Sequence, residues 1–284
     1  MRTNKEKLLK MAVMAEVNHP SAGRSYNPDW EGTPRLGIGM GGVKYNASVG
    51  DLTCGLADEE HTECGLSIQN KDPGEAAALG VAGCLGNEVI LMSGDAKGSK
   101  GYITGKHGHF MVWFPADAQE QVVPGDRLKV KTWGTGLEIA GYENKVKVNK
   151  IDPDLLEKLA IEERNGKLIV PVAHEYPCWI MGSGYGMWPV TIDYDIQTTC
   201  PLVYEELDLK NIRFGDIVCL QDQLNWYGRG YSKGSVTIGV VIHGWSYQAG
   251  HGPGVTTILS SIDDTIQIKI DPSANIAHYL GIKS

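Results

Sequence analysis

Glycine is spread evenly along this chain, 36 residues in 284, well above a usual share near ~7%. Scattered glycine limits the length of any regular element and supplies tight turns. It favours many short strands over long helices. Glycine-aspartate pairs recur at Gly50-Asp51, Gly94-Asp95, Gly125-Asp126 and Gly215-Asp216, and three of them open apolar runs. Each pair is a turn signal, because aspartate bonds nearby turn amides. Strands are expected over Val89–Met92, Gly108–Phe114, Leu168–Val172 and Ser235–His243. A half-exposed strand is expected where Leu128, Val130 and Thr132 alternate with Lys129 and Lys131.

Helices should be few. Asp72-Pro73, Asp152-Pro153 and Asp271-Pro272 each set a capping carboxylate before a first-turn proline. The helices that follow are expected to stop at Gly86, Gly166 and Gly281. The fold class is therefore α+β and mainly β, with barrel or sandwich-type halves and a few short helices. The expected division is a strand-rich half over 1–150 and a second over 151–284 that starts with a helix, unless the two intertwine as one domain.

The net charge of −8 opposes nonspecific nucleic-acid binding by the whole molecule. Residues 97–150 are locally basic, which a solvated face would explain. Six cysteines without a C-x-x-C pair read as reduced thiols rather than a zinc ribbon. The N-terminus is a poor signal peptide, because Lys10 and Glu16 bound its apolar stretch. No apolar run reaches membrane-spanning length. The expected compartment is the cytoplasm.

Four segments could carry chemistry. In Asp58-Glu59-Glu60-His61-Thr62-Glu63, an extended backbone would put Glu59, His61 and Glu63 on one face. That face could chelate a divalent cation or orient a proton-transferring histidine; an acidic surface loop is the plainer reading. The Gly-Lys-rich stretch 89–114 resembles the KOW element of small SH3-like barrels and adds Lys106, His107 and His109. The resemblance implies a scaffold turn, or RNA contact through Lys97, Lys100 and Lys106.

The third segment joins His174-Glu175, the cluster Met181-Gly182-Ser183-Gly184-Tyr185-Gly186 and the pair Asp193/Asp195. The glycine cluster lacks dinucleotide-binding spacing, and Ser183 lacks a nucleophile-elbow context. Asp193 and Asp195 alternate across Tyr194, as paired carboxylates do in cation sites. The fourth runs from Asp222, Asn225, Trp226 and Tyr227 through His243 to His251, which sits between Gly250 and Gly252. Strand ends and constrained loops of this kind are where polar chemistry is mounted.

The motifs NEVILMSGDAKGSKGYITGKHG, IDPDLLEKL, MGSGYG, DYDI, KGSVTIGVVIHG and AGHGPGV, in this order, identify the chain as a member of an uncharacterised prokaryotic family known only as a domain of unknown function. The resemblance spans nearly the whole chain and implies a source among anaerobic or thermophilic bacteria, but no activity. The family pattern D-H-x-E-P-G-V-S-I is met by Glu60-His61-Thr62-Glu63-Cys64-Gly65-Leu66-Ser67-Ile68, which keeps His61 and Glu63. The later pattern Q-D-H-D-N-S-Y-G reads Gln221-Asp222-Gln223-Leu224-Asn225-Trp226-Tyr227-Gly228, which lacks a histidine and an aspartate. More distantly, the β-rich plan resembles the formamidase/acetamidase fold.

The expected function is a hydrolase acting on a small polar metabolite, an amide for example, with a divalent metal ion as cofactor. His61, Glu63, His243 and His251 are the catalytic candidates, with His61, Glu63 and Glu60 as metal ligands. Asp222, Asn225, Trp226, Tyr227 and Ser183 are the ligand-binding candidates. The alternatives are a non-catalytic small-molecule binder and an RNA- or protein-binding barrel. A homo-oligomer is expected, because pairing protects exposed sheet edges.

Overall fold

The structure, a computed structural model, describes residues 1–21, 27–57, 60–184 and 193–283. Two β-systems dominate it. The first is a closed antiparallel barrel of β1 (Met11–Val17), β2 (Leu66–Gln69), β3 (Glu88–Leu91), β4 (Lys100–His107), β5 (His109–Trp113) and β6 (Arg127–Thr132), in the order β1-β6-β3-β4-β5-β2. The KOW-like segment supplies β3, β4 and β5. Leu128 and Val130 point into the barrel core with Val17, Ile68, Val89, Ile103, Phe110 and Val112. The lysines between them stay on the outside, as alternation requires.

The second system is a sheet of β7 (Val146–Val148), β10 (His174–Pro177), β12 (Ile217–Leu224), β13 (Gly230–Val241) and β14 (Gly254–Ser261), in the order β7-β14-β13-β12-β10. The short β11 (Tyr194–Asp195) pairs with β14, and a smaller sheet joins β8 (Glu162–Arg164), β9 (Lys167–Val172) and β15 (Ile266–Ile270). The run Ile217-Val218-Cys219-Leu220 is apolar throughout because both faces of its sheet are covered. Ile217 and Cys219 enter the core shared with Leu85, Met111, Ile238 and Val240. Val218 and Leu220 pack on the other side with Tyr176, Tyr194 and Val255.

The capping signals act at two of the three expected helices. Asp72 accepts from Gly74 N and Glu75 N and opens Pro73–Ala82, which stops short of Gly86 because Gly83 is already extended. Asp152 accepts from Asp154 N and Leu155 N and opens Pro153–Lys158. That helix does not continue to Gly166: Ala160 has φ 54°, and Asn165 and Gly166 both have positive φ. They form the tight turn of the β8/β9 hairpin, where an Asn-Gly pair fits a primed turn. Asp271 instead closes a turn on Ser273 N and Oγ, and the last helix starts at Ile276 with Asn275 as its cap.

The basic span 97–150 is not one solvated face. Lys106 and Lys150 are buried, and Lys150 Nζ donates to the carbonyls of Gly80, Val81 and Gly83 at a helix end. Lys100 is exposed and pairs with Glu88 at 3.3 Å. Lys106 therefore cannot meet a phosphate from the barrel surface, which removes one of the three side chains of the RNA reading. No helix among the described residues is long and apolar enough to cross a membrane.

The barrel leans on the second sheet at Gly105. A Cβ there would lie 2.5 Å from Met111 Cε and 2.7 Å from Ile242 Cβ. Gly105→Ala is expected to cost about 1–3 kcal/mol through overpacking, read as a lower denaturation midpoint in urea.

Candidate metal centre

The polar centre of the molecule lies on this seam. The chain before β2 runs alongside the chain after β13: His61 N donates to Trp245 O, Gly244 N donates to Thr62 O, and Glu63 bridges His243 in antiparallel fashion. His107 and His109 face each other across the β4/β5 turn at Gly108. Asp195 sits on β11 opposite Gly254. The His251 loop is held from both sides, because Ser183 N donates to Gly250 O and Thr198 N to His251 O. Five short segments thus bring five histidines and four carboxylates together.

The carboxylates divide into outer and inner pairs. Glu60 accepts from His61 Nδ1 at 2.5 Å, Ser246 Oγ at 2.7 Å, Tyr247 N at 2.7 Å and Gln248 Nε2 at 2.8 Å. Burial would raise its pKa, but these donors hold it down at about 2. Glu63 accepts from Gly41 N at 2.8 Å, Ser67 Oγ at 2.5 Å and His107 Nδ1 at 3.0 Å. Its burial is likewise overcome by the imidazoles of His107 and His109, and its pKa lies well below the usual carboxylate range. Glu60 and Glu63, expected as metal ligands, are thus committed to the outer side of the imidazoles.

The ring nitrogens on the inner side face other lone pairs. His61 Nδ1 is taken by Glu60, so in the neutral ring Nε2 carries a lone pair. It points at His251 Nδ1, 3.0 Å away. Asp195 Oδ2 lies 2.9 Å from His251 Nδ1 and 3.5 Å from His61 Nε2. The distances suit hydrogen bonds but the directions do not, and this buried oxygen has no hydrogen-bond donor among the described residues. His243 Nδ1 lies 3.0 Å from Gly244 O, and Nε2 is 2.9 Å from Asp193 Oδ2 and 3.4 Å from Asp195 Oδ1.

Such an arrangement needs protons or cations between its donors. Without a metal the protons stay. Burial works against charge on His61 and His243, yet the adjoining carboxylates leave both pKa values raised, that of His243 well above the ordinary histidine value. Burial also opposes ionisation of Asp195, but its three histidine neighbours hold its pKa well below the ordinary aspartate value. An outer acceptor on one ring nitrogen with the other aimed inward is the usual support of a histidine–metal bond. The separations of His61 Nε2, His251 Nδ1 and Asp195 Oδ2 are close to the ~3.3 Å edge of a tetrahedron with bonds of about 2.0–2.1 Å. Ligand atoms of His61, Asp195 and His243 lie within 4.8 Å of one another, as do those of His107, Asp193 and His243.

The structure thus gathers His61, His243 and His251 into one centre with Glu60 and Glu63 behind them. The extended backbone expected around His61 is not seen: its φ of 47° breaks the alternation. Asp58 and Glu59 lie outside the described residues, as do Tyr185 and Gly186 of the glycine cluster. Ser183 contributes its backbone, its carbonyl accepting from Asp195 N at 3.1 Å. Asn225 is buried beneath the centre, accepting from Tyr194 Oη at 2.6 Å and donating to Thr257 Oγ1.

Asp222, Trp226 and Tyr227 are not brought to the centre. Asp222 accepts from Gly234 N at a bulge and lines a separate cleft with Cys178, Trp179 and Arg229. Trp226 O accepts from Lys147 Nζ at 3.0 Å, and Tyr227 is 85% exposed. His107, Asp193 and Asp195 belong to the centre although they are not among the ligands expected from the sequence. The signal for the aspartates was the i, i+2 spacing of Asp193/Asp195; His107 and His109 instead meet across the hairpin turn at Gly108, which spacing alone does not give.

A cavity of about 670 Å³ adjoins the centre, lined by Trp30, Leu56, Tyr204, Trp245 and Tyr247 among others. Trp245 and Tyr247 are the residues whose backbones bond His61 and Glu60. The cavity is walled by aromatic rings, with Trp245 5.2 Å from Tyr247 and 6.4 Å from Trp30. Trp245 Nε1 is buried without an acceptor among the described residues.

Two models of the same family match the chain: Domain of unknown function (DUF4438), N-terminal, over residues 26–157, and its C-terminal counterpart over residues 158–280. A solved structure described as "Crystal structure of TM1086" is similar at 42% identity and a TM-score of 0.93, with 98% of this chain and 99% of that chain covered. No curated protein matches the chain.

Gly254 leaves the space that the centre occupies. A Cβ there would fall well inside contact distance of His243 Nε2 and Asp193 Oδ2. Gly254→Ala is expected to displace His243 and abolish metal uptake. Glu63→Gln, which keeps the shape but weakens the hold on His107, should lower metal affinity by about 10–100-fold. Titration of chelator-stripped protein by calorimetry checks both.

Proposed function

The chain belongs to the DUF4438 family, and we propose that it is a cytoplasmic, metal-dependent hydrolase acting on a small molecule through an amide-type bond. One observation carries this reading: the triangle of His61 Nε2, His251 Nδ1 and Asp195 Oδ2, with sides of 3.0, 2.9 and 3.5 Å. It presents two imidazoles and a carboxylate, a mixture that suits zinc and its first-row neighbours. When bound, such a metal polarises a carbonyl and supplies hydroxide near neutral pH.

The chain's own residues do the rest. Glu60 and Gly244 fix the tautomers of His61 and His243, so that a nitrogen lone pair faces inward on each ring. His251 is 28% exposed at its side chain, so the centre is open on that side. His109, with Nδ1 3.4 Å from Glu63 Oε1 and 20% of its side chain exposed, is a partly accessible imidazole suited to carrying a proton to or from a leaving group. The aromatic cavity takes the apolar body of the substrate.

Elemental analysis of the purified protein should find a bound divalent metal, and His61→Ala should lose both that metal and any turnover. Absence of metal in the wild type would sink the reading. A thermal-shift screen of small amides, followed by turnover assays on the hits, tests the reaction. Binding without hydrolysis of any hit would make the protein a non-catalytic binder instead.

A further inference from the structure

We propose that the centre binds two divalent ions, bridged by the carboxylate of Asp195. This rests on the metal reading above and adds a second ion to it. The donor atoms are too many and too widely spread for one coordination sphere. At bond lengths of about 2.0–2.2 Å, two ligand atoms of one ion are never much more than ~4.4 Å apart. The candidate ligands fall into two groups, one holding His61 and Asp195 and the other His107 and Asp193, with His243 common to both. A nitrogen lone pair binds one ion, so His243 completes one group and the other must find a different imidazole.

The geometry assigns them. His251 Nδ1 stands 3.0 Å from His61 Nε2 and 2.9 Å from Asp195 Oδ2. It completes the first position with them. His243 Nε2 stands 2.9 Å from Asp193 Oδ2 and 3.4 Å from Asp195 Oδ1. It belongs to the second position, with Asp193 and His107, whose ring centroid lies 4.2 Å from that of His243. The two oxygens of Asp195 therefore face different donor sets, Oδ2 the first and Oδ1 the second. A carboxylate placed in this way spans two ions in hydrolytic centres, where the pair clamps both the attacking and the leaving atoms.

Glu60, Glu63, Asp193 and Asp195 are all buried. Lys44, 3.8 Å from Glu63 Oε2, and the buried Lys106, whose charge acts on Asp193, offset only part of this charge. Two divalent ions would occupy the space where ring nitrogens and Asp195 Oδ2 now face one another. Imidazole with carboxylate selects zinc, manganese, cobalt or iron over calcium or magnesium.

The test is stoichiometry. Full-length protein is stripped with chelator, re-equilibrated separately with Zn²⁺ and Mn²⁺, and measured by elemental analysis and calorimetry. Two equivalents are expected, with an exchange-coupled signal from the Mn²⁺ form in electron paramagnetic resonance. His107→Ala and Asp193→Asn should each retain one equivalent and lose the coupling. One equivalent in the wild type, or two without coupling, would overturn the bridged pair and leave the single-metal reading in place. No bound metal would overturn both. The wild-type spectrum decides the matter even if a variant fails to fold.

Discussion

The backbone pairing between the stretch ahead of β2 and the stretch after β13 is the contact on which the rest of the centre depends. Where Glu63 bridges His243 and His61 donates to Trp245, the barrel is joined to the second sheet by main-chain bonds. Those bonds are satisfied only in one register. A slip of one residue would turn His61 and Glu63 together to the other face, away from His243 and Trp245. The seam also needs bare backbone. Gly105 lets the barrel approach Ile242, and Gly254 leaves room for His243 and Asp193.

Around the seam the polar groups are arranged in shells of opposite function. Glu60 and Glu63 are saturated by donors from outside, and through His61 and His107 they set which ring nitrogen faces inward. Asp193 and Asp195 lie on the inner side, where Asp195 Oδ2 has neighbours at bonding distance but none in bonding direction. A buried network left part-satisfied is costly. The adjoining carboxylates therefore leave the imidazole pKa values of His61 and His243 raised. The adjoining aromatic cavity shares backbone with the same network through Trp245 and Tyr247.

Much of the fold was legible in short windows. Alternation at Leu128–Thr132 gave the half-exposed barrel strand, and Asp72-Pro73 and Asp152-Pro153 gave two helix starts, because these signals are satisfied within a few residues. Asp271-Pro272 carries the same local signal but closes a turn, since Asn275 caps the helix on backbone that packs against Gly215. Asn165-Gly166 looked like a helix stop and is a hairpin turn, because Lys167–Val172 had β15 beside it to pair with, a partner no local window contains.

The candidate site divides along the same line. The sequence by itself determined that Asp193 and Asp195 could work as a pair, because strand geometry fixes neighbours two residues apart, and that His61 stands beside glutamates. Only the tertiary structure decided which of them are inward donors and which are outer supports. His61 meets His251 across 190 residues, and His243 meets Asp193 across 50. It also turned Glu60 and Glu63 away from the centre, because nearby amides and hydroxyls took their oxygens. Asp222 and Tyr227, alike in kind to residues of the centre, stayed apart because the bulge and hairpin of β12 and β13 carry them to another face.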